Sequence, residues 1–114
     1  MQRKDEIIAG ICEDLVKAEK IVDYRYDHFE EYEAVAAPFA VYRRVAPQNF
    51  SADGVVYHRG DNVDFELYAS DPDEMAEIMA AAEAAMDEAE LFYQITADTV
   101  YIESEDFYET LYEL

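Results

Sequence analysis

The stretch Val63–Glu74, VDFELYASDPDE, changes its period at the midpoint. Val63, Phe65, Leu67 and Ala69 alternate with Asp64, Glu66, Tyr68 and Ser70, the pattern of a strand with one face buried. Asp71 then fits an N-cap, Pro72 the first helical position and Glu74 the capping-box position. Met75, Ile78, Met79, Ala82, Ala85 and Met86 follow on one face, so the spacing predicts a helix over about 72–89. A one-faced strand running into a one-faced helix calls for two layers around a shared core.

Working outward, Ile7, Ile8, Ile11, Cys12, Leu15 and Val16 mark a second amphipathic helix over residues 5–20. Its acids (Asp5, Glu6) come first and its lysines (Lys17, Lys20) last, the order the helix dipole favours. Ile21, Val22, Tyr24 and Tyr26 predict a short strand, and Phe39–Val45, between Pro38 and Pro47, a second. Val55, Val56 and Tyr57 read as strand material before the turn-formers His58–Asn62. Beyond the second helix, Leu91–Ile95 reads as a strand, Asp98-Thr99 as a turn, and Val100–Ser104 and Phe107–Tyr112 as the last strand material. The expected fold is one α+β domain over residues 1–114, with a mostly antiparallel sheet and two amphipathic helices on one face.

Composition bounds the function classes. With 52% hydrophobic residues and ten tyrosines, the 114 residues suffice for one packed core and exceed what disorder allows. A formal charge of -20 disfavours binding to a phosphate backbone, which needs dense Lys and Arg. The acids fit a solubility surface, an adaptation to high salt, or a functional negative field. Cys12 is the only cysteine, so no internal disulfide forms, and its apolar surroundings predict a buried thiol. The charged N-terminal segment is no signal peptide and no apolar run spans a bilayer, so a soluble, unsecreted protein without a membrane partner is expected.

No catalytic constellation is visible, and an enzyme is not expected. His28 and His58 sit beside carboxylates, without a nucleophile at a recognisable spacing. The acids of Asp71–Glu77 open a helix and lack the turn glycine of a calcium loop, leaving only a weak surface cation position near Asp61, Asp64 or Glu66. Gly10, Gly54 and Gly60 are too scattered for a phosphate loop, and no cofactor is implied. Two surfaces remain as candidates. Arg59, Gly60, Asp61 and Asn62 would form a hairpin tip or interface, and Asp64, Glu66 and Tyr68 the outward face of their strand.

From Pro38 onward the chain resembles the small siphophage tail-completion family, also called tail terminator or minor tail proteins. The likeness is carried by Pro38 before Val41-Tyr42, Asn49-Phe50-Ser51-Ala52-Asp53 before Val56-Tyr57, and Glu66-Leu67-Tyr68 before an acidic helix start. It continues through Tyr101-Ile102-Glu103-Ser104-Glu105, Phe107-Tyr108 and Tyr112. Gly60-Asp61 departs from it, standing where such proteins run a continuous strand, and this chain is far more acidic. The resemblance implies a virion protein without chemistry: a ring, commonly hexameric, that caps the tail-tube protein and meets a head-side connector, with DNA passing through the hole. It implies residence in the virion tail, and in the host cytoplasm during assembly. Part of the acid excess would then line the channel and repel phosphates.

A neck or tail-tube ring protein is the nearest alternative, and an acidic DNA mimic occupying a basic groove belongs to a different class. Arg59-Gly60-Asp61 also spells an adhesion tripeptide, but without a secretion signal or disulfide scaffold it reads as a turn or bulge in a long hairpin.

Overall fold

The computed structural model describes residues 2–30, 33, 35–45 and 62–114. In chain order it contains α1 (Lys4–Lys17), β1 (Asp23–Tyr26), β2 (Phe39–Arg44), β3 (Val63–Ala69), α2 (Pro72–Glu88), β4 (Gln94–Ile102) and β5 (Phe107–Glu113). Asp71 caps α2 by accepting the Glu74 N–H at 2.8 Å, while the Glu74 carboxylate reaches back to the Ser70 N–H at 2.8 Å. Both helices end on a left-handed glutamate, Glu19 (φ 59) and Glu90 (φ 60). The Glu19 and Lys20 N–H groups bond back to the Val16 and Leu15 carbonyls, and those of Glu90 and Leu91 to Asp87 and Met86. This paired closure satisfies two otherwise orphaned carbonyls at each end.

The five strands form one sheet in the order β1-β2-β3-β5-β4. Only β1 and β2 run parallel; the other neighbours are antiparallel. The alternation read in β3 is realised fully. Val63, Phe65, Leu67 and Ala69 are all 0% exposed and face the helices. Ile8 and Cys12 of α1 and Met75, Ile78, Ala82 and Met86 of α2 close over them, so the expected α+β sandwich is the fold. Tyr112 on β5 is wholly buried as well, and its hydroxyl donates to Glu83 at 2.6 Å. Burial, with this carboxylate, pushes the phenol well above its usual range.

Two expectations need correction. Asp98-Thr99 is not a chain reversal: β4 runs through it, with register shifts on either side of Ala97. Thr99 takes a left-handed backbone (φ 53), and its N–H donates to the buried Thr110 hydroxyl at 3.0 Å. Pairing with β5 thus absorbs a local turn signal as a bulge. The reversal comes later, where the Asp106 N–H bonds to the Ile102 carbonyl at 2.9 Å. Leu91–Tyr93 precede β4, Leu91 being held in the closure of α2. The strand expected at Val55–Tyr57 lies outside the described residues.

Candidate functional site

Of the hairpin-tip residues, Arg59, Gly60 and Asp61 lie outside the described residues. Asn62 leads into β3, its carbonyl accepting the Val45 N–H at 3.0 Å. Asp64, Glu66 and Tyr68 do project from the sheet face opposite the helices, but that face is only partly open. Glu66 is 7% exposed, because the chain after β1 folds back across the sheet. Phe29 meets Phe39 edge-on at 5.2 Å, and Phe39 in turn stacks on Tyr68 at 4.8 Å and meets Phe107 at 5.3 Å. These rings line a groove of about 400 Å³ together with Asp27, His28 and Arg43.

The polar groups of the groove satisfy one another. Arg43 forks between the Glu66 carboxylate, the Asp27 carboxylate and the Asp27 carbonyl. Tyr68 places its hydroxyl between Glu66 (2.6 Å) and Glu109 (2.7 Å), and burial with these two acids raises its pKa strongly. Its single proton serves one carboxylate at a time. Arg25 pairs with Glu33 at 2.6 Å and lies 5.0 Å over the Phe29 ring. His28 is pulled upward in pKa by its hydrogen bond to Asp27 at 2.8 Å. The arginines already fill the cation positions that aromatic and acidic walls would offer a ligand. This groove therefore acts as a clasp that holds the segment after β1 onto the sheet.

Other candidates resolve similarly. Cys12 is buried and its thiol is pushed up to about 12 by desolvation, which makes it inert. Among the described residues no group of three or more His, Cys, Asp or Glu is placed to hold a metal ion. No described helix is long and apolar enough to cross a membrane.

The unsatisfied surface lies at the two ends of the sheet. Among the described residues the large apolar side chains left exposed are Val22 and Tyr26 at the β1 end, and Phe92, Ile95, Val100 and Tyr101 at the β4 end. α1 packs over β1, β2 and β3, and α2 over β3 and β5, while at β4 the Thr99 hydroxyl lies 3.9 Å from Met79 Sδ of α2. Charge follows the same axis. All eight Lys and Arg lie at or before Arg59, whereas seventeen of the 28 acids follow it. The α1-β1-β2 side is therefore close to balanced and the α2-β5-β4 side is almost purely acidic. Individual sequence signals for these edges were weak, since neither strand end carries a motif. Comparison with family models, curated proteins and solved structures finds no match to this chain.

Proposed function

We propose that this chain is a structural subunit of a phage tail, a terminator-like protein that assembles as a ring at the end of the tail tube. The ring would stop tube growth, present a joining surface to the head-side connector, and let DNA pass through its hole. The observation that carries this reading is the open sheet, whose exposed apolar side chains stand at its two free ends. Such a subunit is built to repeat, since each sheet end left bare is a template for another chain. Of the family-like segments, Val41-Tyr42 lies in β2, Glu66-Leu67-Tyr68 in β3 and Phe107-Tyr108 in β5, and Asn49–Asp53 and Val56-Tyr57 lie outside the described residues. The polar groups lining the groove pair with one another, which favours assembly over ligand chemistry as the activity.

The acid-only half favours one second reading, a DNA mimic that occupies the basic groove of a DNA-binding protein. Native mass spectrometry and negative-stain imaging at 0.05 and 0.5 M salt separate the two. Closed rings with a central hole are expected, in free solution or on added tail-tube protein. A chain that stays monomeric with tube protein yet competes with DNA for a basic enzyme would replace the ring by the mimic.

A further inference from the structure

We infer that the helix-free face of β5 and β4 docks a basic amphipathic helix of a partner protein, whose cations meet Asp64, Glu113 and Glu109. The inference is independent of the ring reading, because a single subunit carries the whole surface. Strand register places its members side by side. Glu113 pairs with Asp64 on β3, Leu111 with Glu66, and Glu109 stands between Tyr68 and Val100. Residues in register share a face, so all of them project away from α1 and α2. The segment after β1 covers the β2 side of this face, where Phe29 meets Phe39 and Asp27 meets Arg43. At β4 the face is open, with Val100 48% exposed.

Charge identifies the occupant. Asp64 and Glu113 lie directly opposite one another, and like charges so placed destabilise a sheet. Burial and then Glu113 hold the Asp64 carboxyl above its ordinary pKa. Its neighbour on β2, Arg43, commits its guanidinium to Glu66 and Asp27. Glu109 shares the single Tyr68 proton with Glu66. No Lys or Arg follows Arg59, and among the described residues no ion pair reaches Asp64, Glu109 or Glu113. The acids here thus lack the cations that the β1 side already has. Two strands about 4.8 Å apart make a strip that one helix, about 10 Å across, covers. An apolar stripe would rest on Leu111 and Val100, and flanking lysines would reach the acids along their flexible stems. The helix would form a third layer, opposite α1 and α2.

The probe is a synthetic helix of about 14 residues, leucine on one face and lysine on the other, enough for about four turns. It is titrated into the isotope-labelled full chain at about 0.15 M salt, where remote charge is screened. Amide shifts give the location and calorimetry the affinity. The expected shifts fall on Val100–Ile102 and Phe107–Glu113. Asp64→Asn with Glu113→Gln should weaken binding about tenfold, and Val100→Ser about threefold. Glu77→Gln with Glu88→Gln removes the same charge from exposed positions of α2 and should change affinity by less than about twofold. A peptide of the same composition with its leucines scattered should bind about tenfold more weakly or worse.

Equal weakening by the Glu77 and Glu88 control, or equal binding of the scattered peptide, would reduce the contact to attraction by net charge and overturn the site. Shifts confined to α1, α2 or β1 would overturn its location. Calcium chloride alone moving the same amides and displacing the peptide would make the acid pair an ion site and overturn the helix as occupant. No binding at this salt would overturn the docking outright.

Discussion

Arg43 and Glu66 offer the sharpest test of how the helix-free face is held. Glu66 stands mid-sheet, opposite Val41 on β2 and Leu111 on β5, with its side chain 9% exposed. Its charge is met by the Arg43 guanidinium and the Tyr68 hydroxyl. Arg43→Met removes the cation and strands the carboxylate. Losing one partner of a fully buried pair costs about 3–5 kcal/mol, and because Arg43 is 30% exposed the expectation here is about 3 kcal/mol. Glu66→Leu leaves Arg43 its Asp27 contacts and some solvent, and should cost about 1 kcal/mol or less. The double variant replaces an ion pair by apolar groups, keeps the net charge unchanged, and leaves Tyr68 donating to Glu109. It should lie within about 1 kcal/mol of wild type, giving a coupling of about 2–3 kcal/mol.

Urea unfolding followed by far-UV circular dichroism and tyrosine fluorescence measures each corner of this cycle, since the chain has no Trp. The measurement needs both 0.15 and 1 M salt. Arg43→Met also worsens the overall negative charge, and at 1 M the Debye length of about 3 Å removes that long-range share. The coupling should survive at 1 M because the pair is in contact. Strictly additive costs, or a loss below about 1 kcal/mol for Arg43→Met in high salt, would refute the account of Glu66 as a buried charge dependent on Arg43.

Two further changes have worked-out signs. Glu90 closes α2 with a left-handed backbone, which costs a residue with a Cβ about 1–2 kcal/mol, so Glu90→Gly should exceed the charge control Glu90→Gln by about 0.5–1 kcal/mol in urea unfolding. Asp64 has its pKa raised, first by burial and then by Glu113 across the β3–β5 pair. The folded state thus holds its proton more tightly than the unfolded chain, so this group weakens folding at neutral pH and the penalty vanishes as pH falls below its unfolded pKa. Asp64→Asn should therefore stabilise at pH 7 and lose that advantage near pH 3, as read by thermal melts across the range.

The parts of the fold that sequence revealed are those written in neighbouring residues. The β3 alternation, the Asp71-Pro72-Glu74 start and the two apolar helix faces are set within a turn or a strand length. What stayed hidden depends on partners far along the chain. Arg43 and Glu66 are 23 residues apart, and nothing local says that Glu66 lies under the segment after β1. An acid at an outward strand position reads as solvated until its cover is known. Asp98-Thr99 misleads for the same reason: its turn chemistry is real, and Thr99 does take a left-handed backbone, but the nine-residue β4 pairs with β5 on both sides of it. The bare sheet ends are equally illegible, because exposure of Val100 or Tyr101 is a property of what fails to cover β4.

The acidity and the bare edges act at different ranges. At low ionic strength the Debye length reaches about 30 Å, comparable to the short axes of the molecule at 32 and 25 Å, so a neighbour feels the whole charge of -20 and is repelled. At 0.15 M the length falls to about 8 Å, and only charges near the meeting edges count. There the surface is no longer uniform: acids crowd the β4 end, and the cations are kept to the other side. One composition can thus hold free subunits apart at low salt and still let them meet once that repulsion is screened. On the ring proposal, salt should strengthen assembly up to the point where the remote repulsion is screened and then act weakly, if the exposed apolar side chains at the sheet ends make the contact. Assembly that weakens steadily as salt is added would mean that attraction between opposite charges drives it, and the apolar edges would lose their role.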